Sequence, residues 1–382
     1  MRKTFKYRVY PTSKQTTVLN RTLEECRWLY NALLEERKTL WETKKQSTTV
    51  FQQQKSTKTL LKTHKGFNGV HSQVIQNVAI RIDLAFKAFF RRCKSGEKPG
   101  YPRFKGEGQC HSFTYPQNNG AFKLVKNNHI KLSKVGNVKI KYHREFEGTP
   151  KTCTVSKTPT GKWFVCISCD DVKPQTLKPN KLEIGIDMGL KTFATLSDNN
   201  KISSPNFFKH EEHALAKAQR KLKKQKKATS ERQRAKKVVA RVHERVANKR
   251  SDFCHKKSLK IVRKYGIICV EDLNIKNMIV KGKFPRLAKS ILDSSWGLFL
   301  DLLCFKAESA GRTAVKVNPA YTSRDCSACG TRKALKLSER TYSCKACGMS
   351  IDRDLNAAKN ILTVGLHSLR KSISGSSGSP RL

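Results

Sequence analysis

Residues 183–189 read Glu-Ile-Gly-Ile-Asp-Met-Gly, and the organisation of the second half of the chain can be worked out from them. Their apolar residues predict a buried strand that follows a linker-like segment at 170–181. Asp187 lies inside this strand, where a charge is costly to bury unless it is paired or bound to a metal. The flanking Gly185 and Gly189 let another backbone or a ligand approach closely. The stretch therefore predicts a strand that carries an acidic functional group.

The segments that follow this strand alternate in a recognisable order. The sequence predicts two more strands, a long basic helical segment, a strand, a helix, a strand and a last helix, at residues 191–197, 201–203, 211–264, 267–270, 290–310, 314–317 and 353–362. This is the element order of the RNase H-like α/β fold. Many other α/β domains alternate similarly, so the order alone leaves them open.

Two further carboxylates lie at positions that this order would bring towards Asp187. Glu271 directly follows the apolar strand 267–270, and Asp354 begins the last helix, which is rich in small residues. Cleavage of a phosphodiester by two metals needs carboxylates that hold a pair of Mg²⁺ ions about 3.5–4 Å apart. Taken singly, each acid also fits a turn or the N-terminus of a helix. Taken together on these elements, the three acids predict a metal site.

Four cysteines form the most specific local motif of the chain. Two C-x₂-C pairs, separated by 14 residues and each followed by glycine, contain Cys326, Cys329, Cys344 and Cys347. Four thiolates make a closed tetrahedral zinc site, which is structural because no position remains for water. Redox-active C-x-x-C pairs are the alternative, but they prefer a thioredoxin context that this sequence lacks. We therefore predict one structural zinc ion.

The charge of the chain indicates a polyanionic partner. Its 382 residues include 78 Lys and Arg against 29 Asp and Glu, which gives a formal net charge of +49. Such basic clustering is the electrostatic footprint of phosphate binding, so nucleic acid is the predicted partner. An anionic membrane would favour a short basic amphipathic helix instead. Because no signal peptide is visible and the apolar stretch 291–305 is too short to span a bilayer, no membrane partner is expected.

The densest basic stretch lies inside the long helical segment. Residues 220–250 hold 14 Lys or Arg and 2 acids, with valines at helical spacing. One face of the helix would pack and the other would meet phosphates, and the predicted phosphate-binding residues are Arg241, Arg245, Lys249 and Arg250. A solvated, disordered basic run is the alternative for 220–236, which has no apolar face. Arg340, before the second cysteine pair, is predicted to help neutralise the scissile phosphate.

The first half of the chain combines a predicted sheet with a predicted helical insertion. Residues 3–10 read as a strand, whereas 13–42 and 71–93 read as amphipathic helices. Residues 111–170 switch to a period of two, and several short strands at such spacing suggest a small β-barrel. The helical block would then be an insertion in that barrel. The low-complexity end of the chain, 371–382, is predicted to be disordered.

Several motifs together resemble the TnpB family of transposon-encoded RNA-guided RuvC nucleases, which are related to type V CRISPR effectors. The resemblance covers residues 1–362. In the second half it rests on Gly185-Ile-Asp-Met-Gly189, Val270-Glu-Asp-Leu-Asn274, the two cysteine pairs and Asp352-Arg-Asp-Leu-Asn-Ala-Ala358. In the first half it rests on Arg8-Val-Tyr-Pro11, Ser72-Gln-Val-Ile-Gln76, Tyr101-Pro-Arg-Phe-Lys105 and Ser112-Phe-Thr-Tyr115.

The resemblance implies an α+β multidomain architecture. An RNase H-like (RuvC) nuclease domain would carry an inserted zinc ribbon, and a small β-barrel wedge domain would carry an inserted helical recognition lobe. The expected bounds are 1–11 and 109–180 for the wedge, 12–108 for the recognition lobe, 181–318 and 351–366 for RuvC, 319–350 for the ribbon, and 367–382 for a disordered tail.

The resemblance also implies an activity. The family pairs with a guide RNA from the end of its own transposon, reads a short target-adjacent motif, and cuts double-stranded DNA in one RuvC site that uses two Mg²⁺ ions. Guide pairing then supplies most of the sequence specificity. Asp187, Glu271 and Asp354 match the catalytic triad. Gln76 and Thr114 match the positions that read the motif. We expect a monomeric protein in the ribonucleoprotein, located in the prokaryotic cytoplasm with the nucleoid.

Two other functions stay open at this point. A DDE-type transposase shares the fold and the metals, but its third carboxylate is usually Glu, whereas the order here is Asp, Glu, Asp. A non-catalytic RNA-binding regulator is the other alternative. In the family's DXN block the second Asp is catalytic, which selects Asp354 over Asp352.

Overall fold

The computed structural model describes residues 1–125, 128–280, 287–336 and 338–375. The chain divides into two compact units, Met1–Lys173 and Pro174–Leu382. The boundary falls in the segment predicted as a linker, where most residues from 171 to 180 are exposed. Each unit has its own hydrophobic core, as expected for separately packed domains.

The first unit begins with a strand and continues into a helical block. These elements are β1 (Lys3–Tyr10), α1 (Ser13–Lys44), α2 (Val50–Thr63), a 3₁₀ turn (Lys65–Gly69) and α3 (Ser72–Lys94). Helix α1 begins at a capping box, in which the side chains of Thr12 and Gln15 each accept a hydrogen bond from the other's backbone N–H. Its buried stripe, which includes Leu19 and Leu23, is the amphipathic face that the sequence predicts.

The same unit contains a seven-stranded antiparallel sheet. Strand β1 is joined in it by β2 (Ser112–Tyr115), β3 (Phe122–Val125), β4 (His129–Leu132), β5 (Gly136–Ile140), β6 (Thr149–Lys157) and β7 (Trp163–Asp170). The order is β2-β6-β7-β1-β5-β4-β3, so the helical block interrupts one sheet between β1 and β2. The sheet curls, since the Tyr115 hydroxyl on β2 donates to the carbonyl of Ser133 beyond β4. Within the described ranges no ladder joins the short edge strands β2 and β3, so hydrogen bonds do not close the predicted barrel.

The second unit is built on a five-stranded sheet. Its strands are β8 (Glu183–Met188), β9 (Thr192–Leu196), β10 (Lys201–Ser203), β11 (Ile267–Glu271) and β12 (Thr313–Val317), in the order β10-β9-β8-β11-β12. The first three are antiparallel, and β11 and β12 run parallel to β8. The strands predicted for this part of the chain are therefore confirmed. The carboxyl ends of β8 and β11 lie at the same edge of the sheet.

Two helices predicted for the second unit are interrupted. The helices described there are α4 (Phe207–Lys224), α5 (Ser230–Lys264), α6 (Ile275–Val280), α7 (Ala288–Ser294), α8 (Trp296–Ser309) and α9 (Arg353–Gly375). The basic segment predicted as helical at 211–264 forms two helices, α4 and α5, because Ala228 takes a φ of 65° and Thr229 accepts from the backbone of Arg232 to start α5. The predicted helix 290–310 is likewise interrupted at Ser295, which has a φ of 58°.

The last helix follows the cysteine region. Strands β13 (Thr341–Ser343) and β14 (Ser350–Asp352) pair antiparallel on either side of the second cysteine pair, and α9 then packs on the five-stranded sheet. A disordered tail beginning at residue 367 is wrong for its first residues, because Leu366 and Leu369 continue the half-buried stripe of α9. Residues 376–382 of that predicted tail lie outside the described residues. In the part of the chain that is described, no helix has both the length and the apolarity needed to cross a bilayer.

Candidate metal sites

Two acids of the predicted trio lie side by side on neighbouring strands. Asp187 is one residue before the end of β8, and Glu271 is the last residue of β11. The parallel register pairs Ile186 with Val270, so the next pair is Asp187 beside Glu271. Residues in register on adjacent strands lie about 4.8 Å apart and point to the same face. The sheet therefore brings both side chains to one face at one edge.

Helix α9 delivers the third acid. A Cβ atom on Gly185 would lie 2.0 Å from the carbonyl oxygen of Ala358, so α9 rests on β8 at a position that only glycine allows. Asp354 lies one turn before Ala358, about 5.4–6 Å along the helix. Asp187 lies two residues after Gly185, about 6.6 Å along the strand. Because these two distances are similar, Asp354 lies close enough to Asp187 for the two carboxylate charges to interact.

Burial and like charges act on these carboxylates. Burial raises the pKa of Asp187 well above its usual range, and the charges of Glu271 and Asp354 raise it further. Burial also raises the pKa of Glu271, against the opposing effect of a hydrogen bond from the Thr322 hydroxyl, which lies 2.6 Å from Oε1. Carboxylates that disfavour each other's charge gain from a divalent cation between them.

The acidic trio is spread around a volume rather than gathered at a point. Among the described residues, the sulfur atoms of the four cysteines all lie within 4.8 Å of one another. The oxygen atoms of the three carboxylates are spaced more widely than this. Carboxylate oxygens are the hard ligands that Mg²⁺ prefers.

Asp352 has a structural role that separates it from Asp354. Its Oδ1 accepts from the backbone N–H groups of Asp354 at 2.9 Å and Leu355 at 3.1 Å, which caps α9. Its Oδ2 accepts from Lys201 Nζ at 2.8 Å. Burial raises the pKa of Asp352, but Lys201 and the capping amides outweigh burial and lower it overall. These contacts occupy both carboxylate oxygens of Asp352, which are used to cap α9 and to bind Lys201.

The four cysteines meet in one cluster. The Sγ atoms of Cys326 and Cys347 are 3.6 Å apart, as are those of Cys329 and Cys344. Tetrahedral zinc with Zn–S bonds of about 2.3 Å separates its sulfurs by about 3.8 Å. Hydrogen bonding with the Thr331 hydroxyl lowers the pKa of Cys329, and the thiolate is the form that zinc binds. The cluster fits a structural zinc ion.

Known families and proteins match almost the whole chain. Residues 1–46, 164–281 and 296–361 match families described as "Helix-turn-helix domain", "Probable transposase" and "Cas12f1-like, TNB domain". A TnpB-like protein of Acanthamoeba polyphaga mimivirus is 33% identical over 202 residues, which cover 50% of this chain and 39% of that protein. A Streptomyces pristinaespiralis protein, named as a candidate RNA-guided DNA endonuclease, is 34% identical over 376 residues, which cover 96% of this chain and 90% of the relative. The chain belongs to the TnpB family.

The TnpB family assignment agrees with the likeness to a solved structure. A Cas12f1 chain, determined by cryo-EM in a complex with sgRNA and target DNA, gives a TM-score of 0.57 at 15% identity, and the match covers 92% of this chain and 83% of that one. At this identity the likeness concerns the fold alone. It supports an α+β architecture for this TnpB chain.

Three of the four cations predicted to bind phosphate on α5 are paired with acids. Arg245 and Lys249 both bind Glu211, at 2.9 and 3.0 Å. Arg250 binds Asp293 at 2.6 Å. These ion pairs tie α5 to α4 and α7, so their cations are partly neutralised. These three residues therefore offer less free positive charge for phosphate binding than the sequence pattern indicates.

The other residues predicted to contact nucleic acid are polar, and three of the four are exposed. Arg241 and Arg340 are exposed, as is Gln76 on α3. Thr114 on β2 is half-buried, and its Oγ1 accepts from Arg81 Nη2 at 2.8 Å and hydrogen-bonds Thr154 at 2.8 Å. Arg81 thus fixes the side chain of Thr114, an arrangement that no sequence pattern suggests.

Three residues near the acidic site were missed by sequence reasoning. Thr322 contacts Glu271, and the amides of Asn356 and Asn360 bind the segment that contains Thr322. The two asparagines had a detectable signal, because polar residues at positions i and i+4 follow Asp354 on a helix rich in alanine and leucine. Thr322 had none, since it is one of several polar residues before the first cysteine pair.

Proposed function

We propose that this TnpB-family chain is an RNA-guided DNA endonuclease that binds a transposon-derived guide RNA, recognises a short target-adjacent motif and cleaves double-stranded DNA. The convergence of Asp187, Glu271 and Asp354 at one edge of the five-stranded sheet is the observation that carries this function. The family assignment supports it. Location with the prokaryotic nucleoid and a monomeric state in the ribonucleoprotein stay predictions.

We assign Asp187, Glu271 and Asp354 as the residues that would hold two Mg²⁺ ions. Such ions, when bound, activate a water and stabilise charge on the attacking and leaving oxygens of a phosphodiester. The chain itself supplies rigid supports, because two of the acids are on paired strands and the third is on a helix in direct contact with one of them. Rigid placement lowers the reorganisation needed during reaction.

The proposed domain names follow from this assignment. The five-stranded sheet with α9 corresponds to the RuvC nuclease domain, and the cysteine region corresponds to a zinc ribbon inserted before α9. The seven-stranded sheet corresponds to the wedge domain, with α1 to α3 as the recognition lobe inserted into it. Gln76 and Thr114, in this first unit, are proposed to read the target-adjacent motif.

We propose that the phosphate-binding surface lies near the turn between α4 and α5. Lys223, Lys224, Lys226 and Lys227, named here the turn lysines, are exposed. No ion pair involves them within the described residues. The segment 217–241 holds a single acid, Glu231. Charge complementarity therefore favours phosphate at the turn lysines and Arg241 over the paired cations farther along α5. Arg340 is retained as a candidate contact to the scissile phosphate.

A salt titration tests this surface. Each phosphate contact steepens the dependence of log K on log salt by about 0.7–0.9, so replacing the four turn lysines with Gln should reduce the slope for RNA binding by up to about 3. The matched control is Arg245→Gln with Lys249→Gln, which removes two paired cations and should leave the slope nearly unchanged. Equal salt slopes for wild type, the turn-lysine variant and the control variant would show that the phosphate-binding surface lies elsewhere.

Cleavage by the intact ribonucleoprotein tests the activity. RNA that co-purifies with the protein is sequenced, and target duplexes that pair with it are presented with randomised flanking sequence. Asp187→Ala should lower the cleavage rate by at least about a thousandfold, because two-metal stabilisation is worth several kcal/mol. It should leave RNA binding and zinc content intact. Asp301→Ala, at an exposed acid on α8, is the matched control. Undiminished cleavage by the Asp187 variant would remove the nuclease assignment.

The same reaction separates the alternatives. The description "Probable transposase" for the family matched by residues 164–281 makes strand joining the second candidate function. Integration of transposon ends without guide RNA would favour it. RNA binding without cutting or joining would favour a non-catalytic regulator.

A further inference from the structure

The segment between β12 and the first cysteine pair contacts a carboxylate of the acidic site. Thr322 is 4% exposed and Glu271 is 7% exposed. The Thr322 hydroxyl lies 2.6 Å from Glu271 Oε1 and 3.2 Å from the carbonyl oxygen of Pro319. A hydroxyl has one proton to donate, and the shorter contact to the carboxylate is the stronger of the two. A donor on Oε1 fixes the rotation of the carboxylate and leaves Oε2 for a cation.

Helix α9 holds this segment by two amides. Asn360 Nδ2 donates to the carbonyl oxygens of Thr322 at 2.8 Å and Asp325 at 2.7 Å. Asn356 is fully buried, and its Nδ2 donates to the Asp325 oxygen at 2.8 Å. Its Oδ1 accepts from the backbone N–H of Ser327 at 2.9 Å. The backbone on both sides of Cys326, the first zinc ligand, is thereby attached to the helix that also carries Asp354.

The direction of these contacts matters. The amides bind backbone groups, so they fix the path of the segment whatever its side chains are. The Thr322 side chain then connects this fixed backbone to the carboxylate of Glu271. Hydrogen-bond partners of metal ligands orient the ligand, and their loss typically weakens metal binding about 10–100-fold.

We propose that Thr322 is a positioning residue for Glu271, and that Asn356 and Asn360 hold it there by attaching the first cysteine knuckle to α9. The divalent-cation affinity of the acidic site then depends on a segment that belongs to the zinc-binding region. This inference rests on the proposed function, because it takes Glu271 as a metal ligand. A purely structural contact would stabilise the loop without changing cation affinity.

Binding of Mn²⁺ to the full chain with its guide RNA, measured by electron paramagnetic resonance, tests the proposal without requiring cleavage. Thr322→Val keeps the shape of the side chain and loses the hydroxyl, so Mn²⁺ affinity should fall about 10–100-fold. Thr322→Ser restores the donor and should bind within about threefold of wild type. The Mg²⁺ concentration for half-maximal cleavage should rise for Thr322→Val, while the rate at saturating Mg²⁺ stays close to wild type.

A second variant keeps the test informative if Thr322→Val folds poorly. Asn360→Ala, at a half-buried position, should weaken Mn²⁺ binding by at least about threefold while the protein keeps its zinc. Wild-type Mn²⁺ affinity in Thr322→Val, or equal weakening in Thr322→Val and Thr322→Ser, would overturn the positioning role. Failure of the proposed function is distinct, because either the wild-type ribonucleoprotein would not cleave or Asp187→Ala would cleave like wild type.

Discussion

The cysteine cluster and the acidic trio are metal sites of opposite construction. The four cysteines span residues 326–347, and their sulfurs approach to 3.6 Å within one small substructure. The three acids are separated by more than 80 residues at each step, and they meet because two strands and a helix pack together. The first site is specified by local spacing, and the second by the tertiary fold. A change in one ligand should therefore disable the first site, whereas a change in packing should be enough to disturb the second.

Loss of a cysteine ligand should have the largest effect on the protein's own metal content and local stability. Cys344→Ser should reduce zinc from about one ion per chain to nearly none, because three thiolates cannot close the tetrahedral site. Structural zinc contributes about 10–16 kcal/mol in small zinc-binding peptides, so the ribbon should unfold locally. Elemental analysis and limited proteolysis of residues 319–350 measure both effects.

The control for this prediction is a cysteine outside the cluster. Cys93 is exposed in the first unit, so Cys93→Ser should keep its zinc and resist proteolysis like wild type. Full zinc content in Cys344→Ser would contradict a four-thiolate site.

The sequence predicts the cysteine site better than the acidic site, because the four cysteines are close together in the chain and the three acids are not. The two C-x₂-C pairs that are each followed by glycine contain the whole cysteine site, so a local motif is enough to name all four ligands. The acids could be named only by combining strand ends with family motifs, and their common location depends on register and on the Gly185 contact. The ion pairs of Glu211 and the Thr322 contact could not be predicted, because they join elements between 34 and 51 residues apart without a periodic pattern.

A packing change away from any ligand should disturb the acidic site. Gly185→Ala puts a Cβ atom 2.0 Å from the carbonyl oxygen of Ala358, so α9 must move or β8 must bend. Overpacking of this kind costs about 3 kcal/mol of unfolding free energy, measurable by urea denaturation. Divalent-cation binding should weaken as well, because the helix carries Asp354, while zinc content stays about one ion per chain.

Gly100→Ala is the matched substitution for this test. A Cβ atom there would meet nothing within 4 Å, so the unfolding free energy should change by less than about 0.5 kcal/mol. Equal stability of the two alanine variants would show that α9 does not rest on β8 as described.

The smallest expected effect comes from Asp198, in the turn between β9 and β10, whose neighbours favour its charged form. Asp198 accepts from the Tyr265 hydroxyl at 2.5 Å and from Lys264 at 3.2 Å. Burial raises the pKa of Asp198, but these donors and Asn200 outweigh burial and lower it to about 2. A carboxyl whose pKa is lowered in the folded state stabilises the fold above the unfolded-state pKa, near pH 4, and this contribution is lost as the pH falls towards about 2.

Asp198→Asn should therefore cost about 1 kcal/mol of unfolding free energy at pH 7, after allowance for solvent screening. The difference from wild type should shrink between pH 4 and pH 2. A double-mutant cycle with Tyr265→Phe isolates the hydrogen bond, and a difference that persists unchanged at pH 2 would mean that the charge of Asp198 is not its source.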